Sequence, residues 1–332
     1  MKKIKILLLI LVPALFLIVG CGNRNDFQDM SDDEALKVLN IQIDKHPKDD
    51  NLYYHRAKIY LGLNRVNDAI ADLSRAVSIN DKDPRYHMLL GDAYFANGNV
   101  ENSYKSLQRA LDLDPDNQEA ILKLGEIAYY SRDYDRAMEN LGKVTAKDPH
   151  NRTALFMKGF IYKETGDTSN AITLLRKVCD IYPDYEPAFE ELGVIYSELH
   201  DPLALEYLNT AIRIEPQNTN ALYALAMYHQ ELDHIEQAEE IYKQILDINA
   251  NSKDAWHNRG YIQLFTYGDY DEAVEHFTHA IQCDSTFIEA WVNRGCAYEL
   301  MGDKTRALQD FHHALDLDHT FQPAIDGIHR VK

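Results

Sequence analysis

The 332-residue sequence predicts an all-α solenoid of antiparallel helix pairs, on three observations. Small residues recur at spacings of 33 to 35 residues, and a fixed period of this size is typical of repeat architectures. Apolar residues between them follow helical spacing, as in Ala307, Phe311 and Ala314. In four repeats a Gly-Asn or Gly-Asp pair separates two helical stretches, where glycine takes the left-handed conformation that ends a helix. The recurring small residues are Ala57, Gly91, Gly125, Gly159, Gly193, Ala226, Gly260 and Gly295.

Residues 1–20 form the first element and are typical of a secretory signal. Three lysines stand before an uncharged apolar run of 14 residues, from Ile6 to Val19. Such a run makes a helix of about 21 Å, which is shorter than the ~30 Å hydrocarbon core of a bilayer. We therefore expect a signal peptide rather than a permanent membrane span.

The end of this segment, Ile18-Val19-Gly20-Cys21, resembles the lipobox of bacterial lipoproteins, with Ile18 where that family most often has Leu. The resemblance implies that Cys21 receives the lipid and becomes the mature N-terminus. It places the protein in the bacterial cell envelope, and Gly22 is compatible with sorting to the outer membrane, facing the periplasm. The alternative is an ordinary signal peptide followed by a chance cysteine.

The chain after the tether divides into consecutive repeats with a capping element at each end. A unit this short cannot bury its own apolar face, so neighbours must stack and the ends need capping elements. Phe321, Ile325 and Ile328, with Pro323 near the helix start, predict such a closing helix. The predicted segments are 1–20 (signal peptide), 21–30 (tether), 31–49 (N-terminal half-repeat), 50–319 (eight repeats) and 320–332 (C-terminal capping helix). The eight repeats are expected at about 50–83, 84–117, 118–151, 152–185, 186–218, 219–252, 253–287 and 288–319.

The repeat pattern resembles the tetratricopeptide repeat. The stretch from Ala255 through Trp256 and Gly260 to Gly268 and Ala273 follows the consensus of that family closely. The resemblance implies a right-handed superhelix whose first helices line a concave groove, where a peptide or a partner helix binds. It implies a non-enzymatic scaffold or adaptor for other proteins.

Three repeats depart from the period. The fifth is one residue short at His200-Asp201-Pro202, and the seventh is one residue long around Phe265-Thr266-Tyr267. The sixth has Leu232-Asp233-His234 in place of a glycine turn. We expect the array to be least regular here, as a hinge, as a bend specific for a partner, or as neutral drift at exposed turns.

Composition and motifs exclude several functions. The chain has 53 acidic and 34 basic residues and a net charge of −19, which argues against nucleic-acid binding, since phosphate contacts need clustered Lys and Arg. It has no phosphate-binding glycine motif, no Gly-x-Ser-x-Gly, no His-Glu-x-x-His and no cysteines paired at zinc spacing. We therefore expect no enzyme, no cofactor and no metal centre.

An alternative is a metal-dependent or regulatory activity on the histidine-rich C-terminal repeats. Nine of the 14 histidines lie after residue 228, and four fall on second helices of adjacent repeats: His276, His279, His312 and His313. The simpler interpretation is that these are solvated histidines on the convex face. Cys179, Cys283 and Cys296 stand at mostly apolar positions and are expected to be small buried hydrophobes.

The family's groove positions, transferred to this chain, are rich in aromatic residues and mildly acidic. Such a surface suits an extended or helical protein segment that carries apolar residues and Lys or Arg. Two other interpretations remain: the rings pack within the repeats, or they are stacking platforms for a glycan or peptidoglycan fragment. The candidate groove residues are Tyr54, Lys58, Arg85, Asp92, Phe95, Glu126, Tyr129, Tyr130, Phe156, Phe160, Glu190, Tyr223, Tyr261 and Phe265.

Overall fold

The computed structural model describes residues 30–332, which form two compact units, 30–116 and 117–332. The regular structure of these residues is helical, so the predicted all-α fold is confirmed. The signal peptide, Cys21 and residues 21–29 of the tether lie outside the described residues. Within 30–332, no helix combines the length and the apolarity that crossing a membrane requires.

The first unit contains five helices, each packed against the next. Its first helix begins at a capping box, in which the Ser31 hydroxyl lies 2.8 Å from the Glu34 carboxylate and the Ser31 backbone N–H donates to the same carboxylate at 3.2 Å. This helix packs on the next one, and the remaining four form two antiparallel pairs. The helices are α1 Asp32–Lys45, α2 Asp50–Gly62, α3 Val66–Ile79, α4 Pro84–Ala96 and α5 Val100–Leu113.

The second unit contains six further helix pairs and a single last helix. The first helices of neighbouring pairs also contact one another, as α6 does α8 and α10 does α12. These contacts bring side chains from successive repeats onto one face. The helices are α6 Gln118–Tyr130, α7 Tyr134–Lys147, α8 Arg152–Glu164, α9 Thr168–Ile181, α10 Glu186–Glu198, α11 Leu203–Ile214, α12 Thr219–Glu231, α13 Ile235–Ile248, α14 Lys253–Ile262, α15 Tyr270–Cys283, α16 Ile288–Leu300, α17 Lys304–Leu317 and α18 Gln322–Val331.

The recurring small residues let the two helices of a pair approach closely. A Cβ atom added to Gly193 would lie 2.5 Å from Cγ of Leu208, and one added to Gly295 would lie 2.7 Å from Cε1 of Phe311. Both distances are far below van der Waals contact. A large side chain of the second helix, Leu or Phe, therefore occupies the space that a side chain on the first helix would need.

Every turn within a pair contains a residue in the left-handed conformation. Four of these are the predicted glycines, and four are other residues with φ between 53° and 61°. The turn therefore keeps its backbone geometry where glycine is absent, at the strain of placing a Cβ atom there. The glycines are Gly98, Gly166, Gly268 and Gly302; the others are Asn64, Arg132, His200 and Asp233.

The two irregular repeat lengths have local structural counterparts. In the seventh repeat the extra residue produces a π-helical turn at Gln263–Tyr267, and the Asp269 N–H donates to the Gln263 carbonyl at 3.0 Å. In the fifth repeat α11 has 12 residues, whereas the second helix α9 of the preceding repeat has 14. The extra residue of the seventh repeat and the missing residue of the fifth are thus both accommodated at the turn between the two helices of a pair.

The glycine contacts predict an order of stability for three alanine variants. Gly193→Ala should lower the free energy of unfolding by about 1–3 kcal/mol, because the new Cβ would overlap Leu208. Gly142→Ala on α7 meets nothing within 4 Å and should raise it by about 0.5–1 kcal/mol through helix propensity. Gly125→Ala, with Leu141 at 3.1 Å, should fall between the two.

Thermal unfolding followed by circular dichroism measures this order. Gly142→Ala is the matched control, since it makes the same chemical change on a helix of the same unit. Equal shifts of the midpoint for Gly193→Ala and Gly142→Ala would show that the close approach does not constrain the pair.

Candidate functional site

Five aromatic rings form a contiguous row on the first helices of the second unit. The ring centroids of Tyr129 and Tyr130 on α6 are 5.4 Å apart, and Tyr129 meets Phe160 of α8 at 5.8 Å and 82°. Phe160 lies 6.2 Å from Phe156, which meets Tyr185 just before α10 at 5.4 Å and 87°. These five residues, 129, 130, 156, 160 and 185, are called the aromatic row below.

The row follows from helix geometry. Phe156 and Phe160 are four residues apart on α8 and therefore lie on one face, while Tyr129 reaches them because α6 contacts α8. Edge-to-face pairs of this kind contribute about 0.5–1.5 kcal/mol beyond the area they bury. Tyr130 is 50% exposed and the other four rings are half-buried. The rings thus pack on one another and still present accessible surface.

Beside the row stands a group of three glutamates on α10, called the glutamate cluster: Glu186, Glu190 and Glu191. The side-chain amide of Asn218 donates to Glu186 at 2.8 Å and to Glu190 at 2.7 Å. Burial, then the charge of Glu190, raises the pKa of Glu186 to about 7, and burial also raises the pKa of Glu190. One neutral amide thus serves two carboxylates, and their negative charge is incompletely compensated.

The third glutamate links the cluster to the aromatic row through Lys163. Glu191 is buried and forms an ion pair with the Lys163 ammonium group, which lies 5.5 Å from the centroid of the Phe160 ring. Burial raises the pKa of Glu191 in spite of this partner. At the other end, Tyr185 of the row directly precedes Glu186. Row and cluster therefore form one continuous surface within the second unit.

The predicted groove residues of the first unit form a different arrangement. The Tyr54 ring packs on Tyr86 at 5.3 Å, with Lys58 at 5.9 Å and Arg85 at 5.6 Å from its centroid. Arg85 also forms an ion pair with Asp83 at 2.5 Å. The cations predicted here thus stack on a tyrosine of their own unit. Of the two remaining predicted residues in this unit, Asp92 is half-buried and Phe95 is 37% exposed.

The other predicted residues of the second unit lie around the row or in later repeats. Glu126 is half-buried on α6, and its charge adds to burial in raising the pKa of Tyr130. The Tyr223 hydroxyl accepts a hydrogen bond from Asn258 at 3.0 Å. Tyr261 and Phe265 form a separate, more exposed ring pair, 4.5 Å apart.

Sequence reasoning missed four members of this surface: Tyr185, Glu186, Glu191 and Asn218. Of the seven other first helices, five begin at an Asp or Asn whose side chain caps the backbone: α2, α4, α6, α8 and α12. Helices α14 and α16 begin at Ser252 and Phe287 without a capping bond. Tyr185 stands at this position on α10 without a capping bond. The replacement of a capping residue by a tyrosine was the available signal.

His276 corrects the expectation of solvated histidines, because it is only 5% exposed. In the next repeat its position holds Asp310, which accepts two hydrogen bonds from Arg294 at 2.8 and 2.9 Å. The counterpart of Arg294 in the seventh repeat is Arg259. Because His276 offers it no carboxylate, Arg259 pairs with Glu239 at 3.4 Å. Both ring nitrogens of His276 lack a hydrogen-bond partner.

The other histidines of that group do not converge with His276 on a metal site. His279 is half-buried and stacks on Trp256 at 4.5 Å, and His313 packs on Trp291 at 3.9 Å, whereas His312 is exposed. Within the described part of the chain, no three His, Cys, Asp or Glu side chains are arranged to hold a metal ion. Cys179 is buried as expected, while Cys283 and Cys296 are half-buried, and all three are free thiols.

His276 predicts an acid-dependent loss of stability. Burial, then the charge of Arg259, lowers its pKa from 6.5 to about 4, so the folded state favours the neutral ring. The resulting stabilisation is present above pH 6.5 and is lost as the pH falls towards 4. The charge of Asp269 opposes this shift without cancelling it, and the Glu272 carboxylate lies 3.3 Å from Nε2. The charged or titratable groups around the ring are Lys243 on α13, Arg259 on α14, Asp269 before α15, and Glu272 and His279 on α15.

The measurement is the free energy of unfolding of the wild type and of His276→Gln between pH 7.5 and 4.5. The wild type should lose more stability than the variant as the pH falls. His312→Gln, which removes an exposed histidine from a second helix, is the control and should follow the wild type. Parallel curves for wild type and His276→Gln would contradict the assignment.

The stacked helix pairs define the class of protein, which is a helical repeat protein. The face formed by its first helices is apolar and acidic. Models of the tetratricopeptide repeat match residues 33–93, 203–258, 253–286 and 288–321, and the model of the cytochrome c-type biogenesis protein H TPR domain matches 81–189. The chain belongs to the tetratricopeptide repeat family. No curated protein matches it.

Solved structures support the same fold. A tetratricopeptide repeat protein from Parabacteroides merdae has 16% identity and a TM-score of 0.55, with 75% of this chain and 98% of that chain covered. A chain of the APC/C hetero-tetramer Cut9-Hcn1 has 17% identity and a TM-score of 0.56, with 90% of this chain and 58% of that chain covered. A monomeric mutant of IFIT1, solved with Gppp-AAAA, has 15% identity and a TM-score of 0.52, with 85% of this chain and 76% of that chain covered. At these identities the similarity shows the fold alone.

Proposed function

We propose that this chain is a non-enzymatic scaffold that binds a segment of another protein, peptide or helix, across the aromatic row and the glutamate cluster. The tetratricopeptide fold is that of a protein-interaction scaffold. Binding at this particular surface is supported by one observation: accessible rings adjoin carboxylates whose charge the chain itself compensates incompletely.

Each half of the surface selects one feature of the ligand. Aromatic rings fixed by their neighbours lose little conformational freedom on binding and suit apolar anchor residues. The raised pKa of Glu186 means that its ionised form is short of favourable partners, and a Lys or Arg of the ligand would supply one. The predicted ligand segment therefore combines apolar residues with Lys or Arg.

The lipid anchor belongs to the same proposal. Cys21, after the signal, holds the scaffold at the bacterial envelope, in the outer membrane and facing the periplasm, so that bound proteins gather there. Expression in a Gram-negative host should place the wild type in the outer-membrane fraction. Cys21→Ser should release it, and Cys179→Ser is the matched control that should stay with the membrane. A Cys21→Ser protein that remains in the outer membrane would contradict lipid anchoring.

Binding of displayed peptides tests the ligand class. A random library selected on the full chain should yield sequences that combine apolar residues with Lys or Arg. Tyr130→Ala and Phe160→Ala should each weaken binding of the selected peptides about 5- to 30-fold, because truncating a buried aromatic contact costs on the order of 1–2 kcal/mol. Isothermal titration at two salt concentrations measures both the affinity and its electrostatic part.

Tyr104→Ala is the control for these variants, since it removes a 38%-exposed ring from the second helix α5. It should leave the affinity unchanged. Peptides that bind wild type and both row variants equally, with circular dichroism unchanged, would contradict the proposal. Binding of soluble peptidoglycan fragments that persists in high salt and is lost in Phe160→Ala would assign the row to a glycan instead.

A further inference from the structure

The turn of the sixth repeat places two histidine rings next to each other, tilted by 43°. Helix α12 ends at Glu231, Asp233 takes the left-handed conformation with φ 61°, and His234 precedes α13. The His234 N–H donates to the His229 carbonyl at 2.8 Å and the Asp233 N–H to the Gln230 carbonyl at 3.1 Å. This is the Schellman arrangement, which brings the side chains of the third-last helical residue and the second residue after the cap into contact.

Six other repeats have the same backbone hydrogen bond, with different residues at the two positions. The earlier residue is tyrosine in five of them, and the later one is Asp or Asn in five. Asn99, Asp133, Asp167 and Asp303 also cap the following helix, whereas His234 makes no capping bond. The sixth repeat thus departs at both positions together, and both become histidine. The six pairs are Tyr60/Arg65, Tyr94/Asn99, Ala128/Asp133, Tyr162/Asp167, Tyr196/Asp201 and Tyr298/Asp303.

The distance between the two rings matches a metal chelate. The Nδ1 atoms of His229 and His234 are 3.4 Å apart, and the ring centroids are 5.6 Å apart. Two nitrogen ligands of a tetrahedral zinc ion lie about 3.4 Å apart, since each bond is ~2.0–2.1 Å long and the angle between them is about 109°. A square-planar ion would bring the same atoms to ~2.9 Å. The observed separation is therefore the tetrahedral one.

The pair is accessible from solvent, since His234 is exposed and His229 is half-buried. Glu231 and Asp233, which stand between the two histidines in the sequence, are exposed as well. The Glu231 carboxylate lies 3.5 Å from Nδ1 of His200, in the turn of the preceding repeat.

We propose that His229 and His234 form a bidentate site for a divalent transition-metal ion of the zinc type, bound through both Nδ1 atoms. In residues 30–332 no third His, Cys, Asp or Glu completes a ligand set. The remaining coordination positions are open to water or to a donor atom of a bound molecule. The site does not depend on the aromatic row, so either proposal can fail alone.

Equilibrium dialysis of the chelator-treated full chain against Zn²⁺ tests the site at pH 7.5. Two variants insert the residues that other repeats carry: His229→Tyr and His234→Asn. Wild type should bind one zinc equivalent more than either variant, and the double variant should lose no more than the single ones. His234→Asn restores a capping side chain and should unfold at or above the wild-type temperature, which separates ligand loss from misfolding.

His312→Asn and His319→Asn, at two exposed histidines of the last repeat, are the matched controls and should retain the equivalent. Zn²⁺ should also raise the unfolding temperature of the wild type and of these controls, but not of the two turn variants. Equal zinc binding by wild type and the double variant would overturn the proposal. The imidazoles would then share only a hydrogen bond between neutral rings.

Discussion

The close approach of two helices at a residue without a side chain is the constraint on which each repeat depends. Leu208 and Phe311 occupy the space where a Cβ atom on Gly193 or Gly295 would lie. The contact sets the rotation of the first helix relative to the second, because only one face of the first helix permits it. Side chains next to the contact residue are thereby held along the edge of the pair. The aromatic row lies along this edge, since Phe160 directly follows the contact residue Gly159 and Tyr129 stands four residues after Gly125.

The first-helix face carries features that stability alone would not select. Tyr185 occupies a position where five of the seven other first helices have a capping Asp or Asn, and only Phe287 before α16 is likewise aromatic. Glu186 and Glu190 share one amide donor, and their raised pKa values mean that the fold disfavours their ionised forms. Departures from local rules that gather on one surface are typical of binding sites, where a ligand supplies the missing partner.

The repeat period predicted the helices, because the small residue and the apolar pattern recur in all eight repeats and the turn glycine in four of them. It predicted the rings of α6 and α8, since they stand at the family's groove positions. Tyr185 and Asn218 were not predicted as members of this surface, because their role depends on which neighbouring repeat they contact. The repeat period carries no information about such contacts. His276 was expected in solvent, since a polar residue on an amphipathic helix usually is. His276 stands at a buried position that in the next repeat holds Asp310, paired with Arg294. Only the structure identifies that position as the site of a buried ion pair.

The central claim is that ligands bind to the aromatic row and the glutamate cluster. Hydrogen–deuterium exchange of the full chain, with and without a selected basic and apolar peptide, tests it most directly, since it needs no substitution. The bound peptide should slow exchange in α6, in α8 and at the start of α10. Slowed exchange confined to the second helices α7, α9 and α11, with these first helices unchanged, would contradict it.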